Sequence, residues 1–474
     1  MLSNSTTSVL MGSIKFWDME CQFVFSEGYS LKVKPNEDEK ASFEEKCKEA
    51  KGNYDNIGWV YGKSDTDHDI AFLLSEKQLF CYNKGTLTFG VDVILDTLNI
   101  KTAAGEYLYE YCDLHGFTAI DFAGKAVDAV FPPKLAINRN NASRNVIEWF
   151  PERVREFDTE VKKEPCKLIF TTTVDRQDLE METNDLGRIH SVVRLEFSER
   201  KDISLIVDCW KAISTLLTFC VGQNNVTNYN IGLWDEKKAI GKIGLFGQIS
   251  CVINHDKIED IEFHYPAYYR FLIDSFGEKT GELFRALLDK EKRPILEFFP
   301  RTNTDFSVTR DKIRDLCTAL EVEYKYWKYS LSDPNIDALV EKLKDTINQY
   351  KIDNPSAIDV NEYSYICSSV SVISKSARKK ILCIYKKYSE IIDAHMSSQV
   401  DISDEAIEKD IGWFVKTRNG ITHSTGITGA QIPNAIFFRL KVSLFCSVFE
   451  RAGYSLEEIK TLVDDYFRGT ASTK

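Results

Sequence analysis

This 474-residue sequence predicts an α+β region over residues 1–300 and an all-helical region over 301–474. Three observations predict that division. Short β-like runs separated by turn formers fill the first part, and helical periodicity takes over after the stretch Lys292-Arg-Pro-Ile-Leu-Glu-Phe-Phe-Pro-Arg-Thr-Asn-Thr304, whose two prolines mark a boundary. Charge divides at the same place: residues 301–474 carry 24 Lys+Arg and 24 Asp+Glu, against 36 and 48 in residues 1–300. The whole net charge of −12 therefore belongs to the first region.

In that region the β-like runs are Gln22–Phe25, Ile70–Leu74, Leu79–Tyr82, Leu168–Val174, Ser191–Phe197 and Gly244–Gly247. Helical patterns over Ser204–Cys220 and Thr280–Leu288 interrupt them, and two subdomains are expected to meet near 150–165. No repeat or low-complexity tract stands out.

The helical region reads as six helices. The first carries Ile313, Leu316, Cys317, Leu320, Tyr324 and Trp327 on one stripe. The second opens at Ser332-Asp-Pro334 and aligns Ile336, Leu339, Val340, Leu343 and Ile347. A third, from about 376 to 396, aligns Ile381, Tyr385, Tyr388, Ile392 and His395. The fourth has Ser403 as N-cap, Asp404 and Glu405 in its first turn, and Ile402 with Ile407 at the spacing of a hydrophobic staple. A fifth, starting near Pro433, is apolar on most sides and belongs at the centre or in a subunit interface. The last opens with the capping box Ser455-Leu-Glu-Glu458.

Composition narrows the functional classes. The twelve cysteines form no C-x-x-C pair and no zinc-ligand cluster, so they read as buried thiols of a reducing cytoplasm. No secretory signal and no uninterrupted apolar run of membrane-spanning length is present, so neither export nor membrane insertion is expected. The acidic balance argues against nucleic-acid binding by the whole surface. One local exception is Lys375–Lys387, with six basic residues, Lys379 and Lys380 among them, and no acid. A polyanion can approach there, and an ordinary solvated helix face accounts for the same run.

Weaker signals were weighed as well. Asp65-Thr-Asp-His-Asp69 with Glu76 matches some calcium-loop positions, but Ile70 stands where glycine is needed. Gly241–Gly247 has the wrong spacing for a nucleotide loop. His255, Glu262 and His264 are too loosely spaced for a metal site. The aromatic cluster Phe263–Phe271 is better read as core than as a base-stacking platform.

The sharpest feature lies in the fourth helix. Its inward stripe, Ile407, Ile411, Phe414 and Val415, continues onto Arg418, Asn419 and Thr422, which directs polar groups into the bundle or a cleft. Asn419 and His423 lie one turn apart on the same face, where the amide can steady the imidazole. Arg418 is about 140° around the axis from His423, so the two heads meet at one ligand only through arginine's length, an early helix end near Gly420, or a second subunit. An imidazole titrating near neutrality moves protons, and a guanidinium grips phosphate as a fork. Together they suit metal-free RNA cleavage: His423 would assist the 2′-hydroxyl or the leaving oxygen, and Arg418 would hold charge building on the phosphorus oxygens. An Arg-x4-His pair also arises by composition alone, and most polar groups on a helix stripe are structural.

Arg418-Asn-Gly-Ile-Thr-His423 resembles the Arg-Asn-x-x-x-His signature of HEPN domains. Residues 301–470, with Ala319-Leu-Glu321 in the first helix, resemble the ApeA-like branch, and the acidic region upstream resembles an ApeA N-terminal domain. The resemblance implies a HEPN helical bundle that forms a homodimer, with two motifs lining one cleft. It also implies a metal-independent, cofactor-free cytoplasmic endoribonuclease of abortive anti-phage defence. Arg418 and His423 would be the catalytic pair and Asn419 the orienting residue. Lys416, and Lys379 and Lys380 of the basic run, are candidate RNA contacts beside the reading as solvated lysines. The N-terminal region would sense a phage-derived trigger or restrain the nuclease. Thr425 stands where HEPN proteins silenced by a nucleotidyltransferase carry tyrosine, which argues against that form of control. Two other expectations are a catalytically inactive RNA- or nucleotide-binding module and a dimerising scaffold.

Overall fold

Alternation of buried and exposed side chains along Met19–Ser26, every second residue from Met19 to Phe25 being buried, fixes one face of an antiparallel sheet against a core. The computed structural model describes residues 9–26, 30–50, 58–65, 69–75, 81–83, 85–97, 116–132, 154–174, 189–221, 230–235, 249–253, 270–288, 308–326, 334–372, 376–395, 403–422 and 434–468. These fall into two units, Met1–Ser214 with Thr227–Phe263, and Thr215–Val226 with His264–Lys474.

The first unit is β-rich. Its elements in chain order are β1 (Leu10–Phe16), β2 (Met19–Ser26), β3 (Ser30–Pro35), α1 (Lys40–Ala50), β4 (Trp59–Ser64), β5 (Asp69–Leu74), β6 (Cys81–Asn83), β7 (Thr86–Thr97), β8 (Phe117–Ala123), α2 (Lys125–Val130), β9 (Val154–Val161), β10 (Glu164–Val174), β11 (Ile189–Lys201), the start of α3 (Ile206–Val221), β12 (Asn230–Trp234) and β13 (Ile249–Ile253). Six strands, in the order β3-β2-β1-β4-β5-β7, close into a barrel because β3 also pairs with β7, Leu31 opposite Phe89. The barrel holds Phe16, Phe23, Leu31, Val33, Ile70, Phe72 and Leu87 inside, and Phe43 of α1 packs on the same core. From β7 the sheet runs on through β13, β12, β8, β11, β10 and β9. The described strands on either side of residues 150–165 thus belong to one hydrogen-bonded sheet. Two hairpins turn through residue pairs with positive φ, Trp17-Asp18 and Lys162-Lys163, the backbone twist that two-residue β-hairpins demand. The expected run Gly244–Gly247 and the loosely spaced His255, Glu262 and His264 lie outside the described residues.

The second unit is mostly helical: the C-terminal half of α3, then α4 (Ile273–Phe276), α5 (Thr280–Leu288), α6 (Arg310–Tyr326), α7 (Pro334–Asp353), α8 (Val360–Val372), α9 (Ala377–Asp393), α10 (Asp404–Thr422), α11 (Asn434–Arg451) and α12 (Leu456–Arg468). Residues 270–288, assigned by sequence to the α+β region, pack here. Phe271 and Phe276 join Phe219, Phe445, Phe449 and Tyr466 in an aromatic core. The expectation that Phe271 is a core residue holds at 2% exposure, and the rest of that cluster, apart from Arg270, lies outside the described residues. As expected, α11 is the central helix, buried from Val442 to Phe449. Glu323 of α6, itself buried, fastens it by accepting from Arg451 Nη2 at 2.8 Å and Ser447 Oγ at 3.0 Å, while Arg451 Nη1 donates to the Ala286 carbonyl at 2.6 Å.

Two of the caps read from sequence are present: the Ser455–Glu458 box is reciprocal, and the Ser403 hydroxyl accepts from the Ala406 amide at 3.3 Å; Ser332 lies outside the described residues. Helix α8 had no counterpart in the sequence reading. Of the residues aligned on α7 only Val340 is buried, while Leu339 and Leu343 are exposed. One helical stretch among the described residues, Ile203–Val221, is long and apolar enough to cross a membrane, but most of it is buried inside the protein. The nine described cysteines are free thiols, and burial pushes Cys21 and Cys166 up to about 12, which makes them unreactive near neutrality.

Candidate functional site

Helix α10 positions the candidate site. Its first three turns bury Ile407, Ile411 and Phe414 completely or nearly so, and Val415 adds a fourth contact, as the periodicity requires. Thr417 then takes a buried place, its hydroxyl donating to the Trp413 carbonyl at 3.0 Å, which lets a polar residue sit in the core without an unmet donor.

Arg418 follows on the line of the stripe but keeps 27% of its side chain exposed. Arginine can bury its stem and hold its head at the water boundary. Nη1 donates to Asn419 Oδ1 at 3.1 Å, and Nη2 lies 3.6 Å from Glu321 Oε2 on α6. Cys317, one turn before Glu321, lies within electrostatic reach: burial raises its thiol pKa first, Arg418 opposes that rise, and Glu321 adds to it. The guanidinium is therefore tethered over the Cys317–Glu321 face of α6 while remaining reachable from solvent.

Asn419 corrects the expectation that it points inward: it is exposed. One residue past Arg418 is about 100° around the axis, which carries its amide to the edge of the stripe, and a group with four hydrogen-bonding positions is better met by water. Lys416 is exposed too. His423 lies outside the described residues. The structure thus brings Arg418 and Asn419 together and adds Glu321. Glu321 has no role in the Arg-Asn-x-x-x-His signature, and its position one turn beyond the core residue Cys317 is the signal in the sequence that points to it.

The basic run of α9 is largely engaged. Arg378 lies 3.9 Å from Glu408, Lys386 pairs with Glu408 at 3.1 Å and Asp404 at 3.7 Å, and Lys387 with Glu450 at 2.5 Å. Lys380 sits 5.9 Å over the Tyr324 ring, and Lys379 is half-buried. This charge joins α9 to α10 and α11 rather than forming one open cationic face, because α10 presents its acids directly opposite.

No protein-family model, no curated protein and no solved structure matches this chain.

Proposed function

We propose that the helical unit is a metal-independent endoribonuclease of the HEPN kind. Arg418 and His423 carry the reaction, and Asn419 and Glu321 steady the guanidinium. The supporting observation is the Arg418 head, hydrogen-bonded to Asn419 at 3.1 Å and paired with the Glu321 carboxylate at 3.6 Å, on a side chain 27% exposed. A phosphate needs such a group, a cation whose orientation is settled before the ligand arrives. His423, four residues after Asn419 in the sequence, supplies the proton transfer, a role worth about 10²–10⁴-fold in rate. In this reading the protein acts in the cytoplasm as a homodimer in anti-phage defence. Its acidic N-terminal region senses a phage-derived trigger and keeps RNA away until then.

The test is incubation of purified protein with RNA and with matching DNA in EDTA. Cut RNA with 2′,3′-cyclic phosphate ends, uncut DNA, and loss of cutting in His423→Ala are expected. Toxicity of wild type and His423→Ala in cells, with and without phage, checks the defence role. A second reading rests on the Glu321 contact: an arginine that merely ties α10 to α6, in a binding module or scaffold. There His423→Ala leaves the phenotype intact, and Arg418→Ala loosens the fold.

A further inference from the structure

We propose that α7 is a self-association face, on which a second copy of this chain docks its own α7 in antiparallel orientation. The proposal stands on the packing of two helices and is independent of the nuclease reading.

Helices α7 and α8 pack mainly on each other. Val340 is buried between them, with Ile336, Ile347, Tyr363 and Ile366 half-buried. Part of what that packing leaves outside is apolar. Of the ten large hydrophobic side chains exposed among the described residues, six lie on this hairpin, from 36% at Leu343 to 76% at Val360. Of these, Leu339, Leu343 and Tyr350 share one side of α7, whereas Ile352 lies about 160° around the axis and Val360 and Tyr365 belong to α8. A standard interface takes about 800 Å² from each partner, so this apolar stripe would form its centre and the polar flanks its larger rim.

The pattern on α7 identifies the occupant. Leu339, Leu343, Thr346 and Tyr350 follow one another at spacings of four, three and four, a single stripe in heptad register. That spacing reads the same in both directions. An antiparallel copy therefore sets Leu339 against Tyr350 and Leu343 against Thr346, twice over, as a two-fold interface requires. Thr346 can enter such a seam because its hydroxyl already donates to the Lys342 carbonyl at 2.8 Å. The stripe residues carry no charge; exposed Lys342 flanks them, and Asp353 at the C-terminal end accepts from Gln349. Beside it, α8 has one charged residue, Glu362, in thirteen. Nucleic acid or an anionic membrane would call for a cationic surface, whereas α7 has three lysines and four acids. Charge depletion with exposed tyrosine and leucine is the composition of an interface core.

Sedimentation velocity of the full-length protein at micromolar concentration tests this. The wild-type mass should be an even multiple of 54.3 kDa. Leu343→Glu with Tyr350→Glu should halve that mass with the melting temperature unchanged, while Leu456→Glu, an exposed leucine on α12, should leave it as it was. Leu343→Cys and Thr346→Cys in separately tagged copies should form a disulfide across chains. A wild-type monomer overturns the proposal, and so does a double variant that keeps the wild-type mass. Protection of the hairpin only on adding RNA or anionic vesicles also overturns it.

Discussion

Replacing Arg418 by alanine separates a catalytic arginine from a structural one, because the structure sets very different magnitudes for the two roles. The contact with Glu321 spans 3.6 Å between side chains that are 27% and 24% exposed. Such partly solvated pairs contribute roughly 0.2–1 kcal/mol, and the hydrogen bond to exposed Asn419 adds little that water cannot replace. Arg418→Ala should therefore lower the stability of the helical unit by no more than about 1 kcal/mol. Removing a fixed donor to the charge that develops in a transition state lowers the rate about 10²–10³-fold. The assay pairs cleavage of a labelled RNA in EDTA with urea unfolding of the same preparation. Stability loss above about 3 kcal/mol with parallel loss of cleavage would refute the catalytic role. Unchanged cleavage by a variant of a protein that does cut RNA would refute it equally.

Other contacts of the helical unit set further outcomes. Glu321→Gln should reduce cleavage less than Arg418→Ala does, with Glu321→Asp retaining more activity than glutamine, because the carboxylate orients the guanidinium without touching phosphate. Arg451→Met leaves the Glu323 carboxylate, 2% exposed, without its cation, and should destabilise the helical unit by about 3–5 kcal/mol in denaturant unfolding. The further change Glu323→Gln should recover part of that loss. Burial, and then Lys312, holds the Lys441 ammonium down to about 8. The unfolded chain keeps that proton to higher pH, so this group makes stability rise between pH 8 and about 10.5, and Lys441→Met should remove the rise. Glu458 is held down to about 2, first by Lys279 and then by the Ser455 cap. Its contribution is present above the ordinary carboxylate range and is lost as pH falls toward 2, and Glu458→Gln should flatten the acid limb of the unfolding curve there.

Comparing sequence with structure, the legible features are those written within one turn or one strand. Ser403 and the Ser455–Glu458 box announce their helices because a cap needs only residues three apart. The stripe Ile407, Ile411, Phe414 and Val415 named the buried face of α10 because helical period alone sets it. Helix α8 was missed because it has little charge and no clear apolar stripe, most of it being exposed. The α7 alignment is legible in the sequence, but periodicity says which residues share a face and not what covers that face.

The chain by itself thus determined the β-rich start, the helical remainder, and the Arg418-Asn-x-x-x-His423 spacing. Tertiary structure alone decided that β3 meets β7 to close a barrel, and that residues 270–288 pack with the helical unit. It also decided that Glu321 holds Arg418 and that the acids of α10 occupy the basic run of α9. The reason is range. Propensity, capping and periodicity act between residues a few positions apart, while these contacts join residues separated by tens to hundreds of positions, and only the packed chain selects them.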